Sequence, residues 1–209
     1  MEFSFHLTVY ALNIFDGTEK WQYKTDGSIS STPVVYDNKV FIGDYDRHFY
    51  ALDATTGNLV WKFPSGNEVN DNPQNWFWAK PVVVNGIIYA PCLDGKIYAL
   101  DASTGNLVHA PYVLGDSISS SPVVIGDSII VATSVASTDV NKQRGKVYII
   151  NTTNGSQQEL GSLPLEDINA PLFAQDNIVY IHTTKDNLYW VDTAAKDIEL
   201  NVLHLSTAE

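Results

Sequence analysis

Short runs of β-branched and aromatic residues alternate along the whole chain with polar, turn-forming pairs. Typical runs are Val40–Ile42, Ile87–Tyr89 and Ile129–Val131, and typical pairs are Asn85-Gly86 and Asp94-Gly95. Runs of this length and composition, separated by Asn-Gly and Asp-Gly pairs, predict successive β-hairpins. Apolar residues nowhere keep a 3.6-residue spacing for three turns, so we expect no long helix. The pattern therefore predicts an all-β protein.

A tyrosine-led phrase recurs five times, and its tyrosines are separated by 40, 48, 50 and 41 residues. The five copies begin at Tyr10, Tyr50, Tyr98, Tyr148 and Tyr189. The second and third copies read Tyr-Ala-Leu-Asp-Ala-x-Thr-Gly-Asn. Around the phrase, copies two to five each contain three further short runs, which gives four antiparallel strands per repeat. Four strands in 40 to 50 residues are typical of a β-propeller blade.

The strand count predicts a single domain, 1–209, with four whole blades and a half blade. We expect the whole blades at 25–63, 64–113, 114–161 and 162–205, and the half blade at 3–24. A propeller that closes by sharing one blade between its termini needs complementary halves, and here both ends supply the last two strands. We therefore expect a fragment of a larger propeller, or one that a partner completes. Self-association through the unpaired half blade is one such route.

The turn between the third and fourth strands of a blade reads Asp-x-x-Thr-Gly in the best copies. Asp53 and Asp101 can each accept backbone N–H groups across this turn. Gly57 and Gly105 can supply the positive φ with which such a turn ends. We expect these four residues to have structural roles in the repeat.

A tryptophan follows this turn in the first two copies of the repeat. Trp61 is predicted on the outermost strand, where its ring can cover the turn and contact the neighbouring blade. Trp21 holds the same place in the first copy, whereas His109 and Glu159 replace it in the third and fourth. The clasp is therefore expected at the first two copies and not at the later ones.

Charge excludes some classes of partner. The chain has 24 Asp and Glu against 12 Lys and Arg, a net charge of −12. Such a surface repels phosphate backbones and anionic lipid headgroups, so we expect no binding to nucleic acid or to membrane surfaces. No run approaches the ~18 apolar residues of a membrane span. The first residues lack the basic and apolar segments of a signal peptide.

Recognisable catalytic chemistry is sparse in this sequence. The five histidines are far apart and none has a His or Cys partner at metal-ligand spacing, so no metal site is predicted. Nucleophile-elbow, Walker, dinucleotide-binding and EF-hand patterns are all absent. Cys92 is the single cysteine and lies in a predicted strand, where we expect a buried, inert thiol.

The best candidate binding site is the aromatic segment Trp76–Lys80. It begins within the last residues of an insertion, 67–78, that precedes the first strand of the second blade. Alignment on Pro81 places Trp78 just before the innermost strand, near the mouth of the central channel. The candidate residues are Asn75, Trp76, Trp78 and Lys80. Exposed, they suit stacking on a sugar or peptide, or contact with a partner protein; alternatively, the insertion folds over the channel and its rings pack on the blade.

The repeat Tyr-Ala-Leu-Asp-Ala-x-Thr-Gly-Asn-Leu-Val-Trp resembles that of the pyrroloquinoline-quinone (PQQ) dehydrogenase-like propellers, with their tryptophan-docking motif. The resemblance is strong at 50–61 and 98–107, fair at 10–21, and weak at 148–155 and 189–195. It implies the propeller fold but no particular activity. It also implies a periplasmic, extracellular or cell-surface location, as in secreted and periplasmic relatives. One type of relative is a lipoprotein that assists outer-membrane protein assembly and docks partners on its loops.

The resemblance raises the question of PQQ itself. Quinone-dependent members hold PQQ between a tryptophan and a disulfide of adjacent cysteines, beside a calcium ion and a catalytic Asp. A chain with only Cys92 lacks that disulfide, so we expect no cofactor. The first hypothesis is a non-catalytic binding or scaffolding propeller with a protein or carbohydrate partner. The alternatives are a fragment of a PQQ-dependent quinoprotein dehydrogenase, and a polysaccharide-binding or cell-surface adhesion module.

Overall fold

The structure is a computed structural model that describes residues 7–66, 72–134, 145–163, 168, 171–183 and 187–204. Every regular element in these ranges is a β-strand, which confirms the predicted all-β class. No helix long and apolar enough to cross a membrane is found in the described ranges. Part of the predicted insertion, 67–71, lies outside them.

The strands are short and follow one another as hairpins. In chain order they are β1 (Thr8–Leu12), β2 (Glu19–Lys24), β3 (Val34–Tyr36), β4 (Lys39–Gly43), β5 (Phe49–Asp53), β6 (Leu59–Phe63), β7 (Val82–Val84), β8 (Ile87–Pro91), β9 (Lys96–Asp101), β10 (Tyr112–Val113), β11 (Val123–Ile125), β12 (Ser128–Ser134), β13 (Gly145–Asn151), β14 (Gln157–Leu163), β15 (Phe173–Gln175), β16 (Ile178–His182), β17 (Asn187–Asp192) and β18 (Leu200–His204).

These strands form four-stranded antiparallel sheets, each paired in simple chain order. The sheets of the described residues are β3–β6, β7–β10, β11–β14 and β15–β18, together with the two-stranded sheet β1–β2. The first strand of the third sheet, β11, lies beside the first strands of its two neighbours, β7 and β15. The first strands therefore surround a common axis and the last strands form the rim. This is the predicted β-propeller of four-stranded blades.

The hydrophobic core lies between blades and not within one central cluster. One buried cluster joins the first and second whole blades through residues such as Phe41, Phe63 and Tyr98. Other clusters fill the remaining blade junctions in the same way. Because both faces of an inner blade pack on a neighbour, a third strand such as β5 is continuously apolar. All four residues of Phe49–Leu52 are fully buried.

The two ends of the strands define two faces of the propeller. The connections between blades and the turns between second and third strands share one face, which we call the connection face. Backbone bonds join these elements, as where Tyr45 N donates to Ser28 O at 2.9 Å. The remaining hairpin turns, including the Asp-x-x-Thr-Gly turns, lie on the opposite face, which we call the Asp-turn face. There Ala54 N donates to Asn38 O at 2.9 Å.

Candidate functional site

The segment Trp76–Trp78 is anchored on the connection face by its middle residue. Phe77 is fully buried, and its ring lies edge-on to those of Phe49 and Tyr98 at centroid distances of 5.3 and 5.7 Å. It packs directly on the backbone of Gly43, where any Cβ would overlap it. Trp76 and Trp78 are each 41% exposed. One buried ring thus holds two half-exposed ones.

Backbone and thiol hydrogen bonds fix this segment to both neighbouring blades. Leu93 N donates to Trp76 O at 2.9 Å, and Phe77 N donates to Asp44 O at 3.3 Å. Asn75 lies within this network, because its carbonyl accepts the Cys92 thiol at 3.2 Å and its side-chain oxygen accepts Trp76 N–H at 2.9 Å. Asn75 therefore shapes the loop through its own hydrogen bonds.

A third ring, which the sequence did not single out, joins the two tryptophans. Tyr45 stacks on Trp76 at a centroid distance of 4.4 Å with an 8° angle between the ring planes. It also stacks on Trp78 at 5.7 Å and 14°. We call Tyr45, Trp76 and Trp78 the aromatic stack. Each of the two tryptophans thus packs on Tyr45 and keeps part of its surface exposed.

Tyr45 belongs to a turn that is held by a buried carboxylate. Asp44 is fully buried, and its Oδ1 accepts the N–H groups of Asp46 and His48, both at 2.9 Å. Its Oδ2 accepts Gly27 N–H and the Tyr50 hydroxyl, again both at 2.9 Å. These bonds replace the water that the carboxylate loses. Asp44 therefore fixes the backbone that carries Tyr45.

The tyrosine of the repeat phrase is the hydroxyl donor in this arrangement. Burial raises the pKa of Tyr50 far above its ordinary value, so the side chain remains a neutral donor. The second blade repeats the bond, because Tyr98 donates to Asp94 Oδ2 at 2.8 Å. The acceptor lies six residues before Tyr50 but four residues before Tyr98. That variable spacing explains why the sequence did not reveal the pair.

Lys80 and Trp78 line a small cavity at the mouth of the central channel. The cavity holds about 140 Å³ and lies among residues that precede the first strands of the blades: Ser30, Thr32, Trp78, Ala79, Lys80, Ser119, Ser121 and Pro171. Lys80 N donates to Ser121 Oγ at 3.1 Å. None of the lining residues is acidic. The mouth is therefore a hydroxyl-rich pocket with one cation, beside the aromatic stack.

On the opposite face, the Asp-x-x-Thr-Gly turns are closed by their own carboxylates. Asp53 Oδ1 accepts Thr56 N–H at 2.7 Å, and Asp101 Oδ1 accepts Thr104 N–H at 2.8 Å. These backbone bonds are the main reason why the pKa of each carboxyl lies below its ordinary value. The turns end with Gly57 and Gly105, whose φ values are +75° and +74°.

Each of the two repeat tryptophans covers the turn of the next blade. Trp21 Nε1 donates to Ala54 O at 3.0 Å, and its ring lies 2.7 Å from where a Cβ on Gly57 would be. Trp61 Nε1 donates to Ala102 O at 3.2 Å, with the ring 2.6 Å from the same point on Gly105. These residues join blades, and they lie on the face opposite the aromatic stack.

Two features that the resemblance implied for a PQQ site can be compared with the described residues. Cys92, the one thiol, is buried behind Asn75 and burial raises its pKa, so it cannot form the disulfide that the resemblance implied. No group of three or more His, Cys, Asp or Glu that could hold a metal ion occurs among the residues described. The cavity at the channel mouth, at about 140 Å³, is smaller than the roughly 300–1,000 Å³ typical of cofactor pockets, whereas an opening of about 610 Å³ lies beside His109.

Comparison with known families and structures gives a consistent result. The family model described as outer membrane protein assembly factor BamB matches residues 6–202. BamB from Moraxella catarrhalis superposes with a TM-score of 0.71 at 18% identity, covering 95% of this chain and 55% of that one. A europium-containing methanol dehydrogenase gives 0.69 at 14% identity, covering 93% and 47%. Identities this low show a shared fold alone.

Two curated proteins match shorter stretches more closely. Tetrathionate hydrolase of Acidithiobacillus ferrooxidans is 37% identical over 62 residues, which are 30% of this chain and 12% of that protein. The uncharacterized protein YxaL of Bacillus subtilis is 44% identical over 43 residues, which are 20% of this chain and 10% of that protein. The chain thus aligns with only about a tenth of each curated relative and spans about half of the BamB structure.

Proposed function

Because this chain belongs to the PQQ-like repeat family described as outer membrane protein assembly factor BamB, we propose that it is a non-catalytic propeller that binds a partner protein at its connection face. The observation that carries this proposal is the aromatic stack, in which both tryptophans are 41% exposed beside Tyr45. Exposed tryptophans grouped with tyrosine are typical of the residues that dominate protein interfaces. The description of BamB as an assembly factor supports a protein as the partner.

The rigidity of the aromatic stack supports the same proposal. Phe77 anchors the loop from below, and Asp44 fixes the turn that carries Tyr45. Rings that are already held in place lose little conformational freedom when a partner covers them. Lys80 adds one cation at the edge of the surface, where an acidic or hydroxyl group of the partner would meet it. Family membership also supports a periplasmic, extracellular or cell-surface location.

The proposal is tested with immobilised protein and extracts of the source cell. Wild type is compared with the double variant Trp76→Ala/Trp78→Ala and with Tyr36→Ala, which removes a 40% exposed ring from the Asp-turn face. Captured proteins are identified by mass spectrometry and then titrated as purified partners. We expect a partner whose affinity falls about tenfold or more in the double variant and stays unchanged in Tyr36→Ala. Equal affinity for all three proteins contradicts the proposal.

A carbohydrate partner is the second candidate, and the hydroxyl-rich channel mouth beside two half-exposed tryptophans is the observation that favours it. In the aromatic stack the rings cover one another on their facing sides, so a sugar ring would stack on the exposed surfaces of the two tryptophans. The hydroxyl-rich channel mouth lies next to them. Titration of the same variants with polysaccharides separates the candidates. Saturable binding that the double variant loses, without any protein partner, would replace the protein by a carbohydrate.

A dehydrogenase fragment is the remaining alternative from the sequence. It is tested by titration with PQQ, followed through the absorbance of the quinone. We expect no saturable change, because the described residues offer neither the disulfide nor a metal-ligand group. Saturable binding with turnover of an alcohol would contradict the non-catalytic proposal.

A further inference from the structure

Two blade junctions share one arrangement, which we call the indole seat. It consists of the Asp-x-x-Thr-Gly turn of one blade, the carbonyl after its first residue, and the space above its glycine. At Gly57 and Gly105 the ring of a tryptophan from the preceding blade fills this space. Its indole N–H bonds the carbonyl of Ala54 or Ala102, at 3.0 and 3.2 Å. The chain thus shows twice what such a seat accepts.

The junction between the second and third whole blades keeps the turn in the same conformation. Asn151 Oδ1 accepts the N–H groups of Thr153 and Asn154, both at 3.0 Å. Gly155 has a φ of +71° and donates its N–H to Asn151 O at 2.9 Å. The corresponding bond at Gly57 measures 2.8 Å. The receiving half of the seat is therefore intact here.

The tryptophan is missing at this third junction. His109, which occupies the tryptophan position of the repeat, is exposed, and its Nδ1 lies 2.7 Å from its neighbour's carbonyl oxygen, Ala110 O. The atom nearest to a Cβ built on Gly155 is Tyr112 Oη at 3.6 Å, where the filled seats have a ring at 2.7 and 2.6 Å. No described residue donates a hydrogen bond to the carbonyl of Thr152.

A surface opening lies at this third junction. It measures about 610 Å³ and is lined by His109, Ala110, Pro111, Tyr112, Val113, Asn154, Gly155 and Gln157. Val113 on this wall is 61% exposed. The opening thus has both apolar and polar walls, and it reaches Gly155 of the turn that carries the Thr152 carbonyl.

We propose that this third seat binds the indole side chain of a tryptophan presented by a partner polypeptide. The glycine, the turn and the carbonyl match those on which the chain docks its own Trp21 and Trp61. Both flanking blades are already present, so completion of the propeller by further blades would not fill it. The seat lies on the Asp-turn face, and the inference does not depend on the aromatic stack of the connection face.

The test uses N-acetyl-tryptophanamide as the probe and amide chemical shifts as the readout. A free indole gains only part of the affinity of a whole interface, so we expect weak but saturable shifts at residues 152–157. The filled seats at Gly57 and Gly105 serve as controls within the same spectrum, and we expect no saturable shift there. Shifts of similar size at all three turns, or no saturable shift at 152–157, would overturn the proposal.

A ligand control and a variant control sharpen this test. N-acetyl-1-methyltryptophanamide lacks the indole N–H, and we expect it to bind about fivefold more weakly because one hydrogen bond is lost. In His109→Trp the protein's own indole fills the seat, and we expect binding of the probe to fall at least about tenfold. Equal affinity for both probes, or unchanged binding in a folded His109→Trp, would contradict a seat for indole. Since the methylated probe is used on the wild type, its result stands even if the variant does not fold.

Discussion

At the scale of single residues, the close approach of Trp61 to Gly105 predicts that one added methyl group lowers the free energy of unfolding unusually strongly. Gly105→Ala introduces strain at a φ of +74° and also a Cβ at 2.6 Å from the ring. Gly17→Ala introduces nearly the same strain, at +71°, with no atom within 4 Å. We expect Gly105→Ala to lower the free energy of unfolding by about 1–3 kcal/mol more than Gly17→Ala. Denaturant titration measures the difference, and equal losses would contradict it.

The carboxylates of the Asp-x-x-Thr-Gly turns predict a pH dependence of stability. Hydrogen bonds from Thr104 hold the pKa of Asp101 below its ordinary value. A group whose pKa is lowered on folding stabilises the protein above its unfolded pKa, and this contribution disappears as the pH falls through the folded pKa. Asp101→Asn keeps an oxygen acceptor, which Asn151 provides at the equivalent position of another repeat. The amide of the variant does not titrate. We expect the Tm difference between wild type and variant to be present at pH 7 and to shrink below about pH 4; a difference that is constant with pH would contradict this.

At the scale of elements, the connection that carries Trp76 and Trp78 depends on one buried ring. Phe77→Ala removes a fully buried side chain from between Phe49 and Tyr98. We expect it to lower the free energy of unfolding by about 3–5 kcal/mol. Trp76→Ala, at a position that is 41% exposed, is the matched control and should cost less. Faster hydrogen exchange at Leu93 N, which donates to Trp76 O, should accompany Phe77→Ala alone.

The strands themselves could largely be predicted, because apolar runs and turn pairs are local signals. The last strand of the second whole blade is an instructive departure. By analogy with β6, the repeat predicts a strand around His109, yet β10 begins at Tyr112 and Leu107 makes only an isolated bridge. Pro111 has no N–H to donate, so regular pairing cannot run through it. Alignment of the repeat alone, which puts His109 at the place of Trp61, did not reveal this shift.

The candidate site was only partly predictable for a related reason. Trp76, Trp78 and Lys80 stand in a conspicuous insertion, so the sequence drew attention to them. Tyr45 and Asp44 belong to an ordinary turn of the preceding blade, and they gain their roles only when that turn meets the insertion across the blade junction. Contacts of this kind depend on how blades pack, which neither periodicity nor spacing encodes.

At the scale of the whole molecule, the half blade β1–β2 shows what a blade loses when a neighbouring blade packs on only one of its faces. Leu52 and Tyr50 are fully buried in a whole blade, whereas their counterparts Leu12 and Tyr10 are 55% and 53% exposed. Phe15, in the turn that follows, is 92% exposed. β1 also has an open edge, since it pairs only with β2 in the described sheets. An open edge strand with exposed apolar side chains favours pairing with another chain.

We therefore predict that the isolated chain self-associates through β1 in a concentration-dependent manner. Light scattering should show a mass that rises from the monomer value of 23.1 kDa toward roughly that of a dimer. Leu12→Lys should keep the protein monomeric, because a charge on the open sheet opposes pairing. Val60→Lys is the matched control, since Val60 is 44% exposed on the outer strand of a whole blade and should leave the association unchanged. A wild-type mass that stays at 23.1 kDa at every concentration would show that the half blade is stable without a partner.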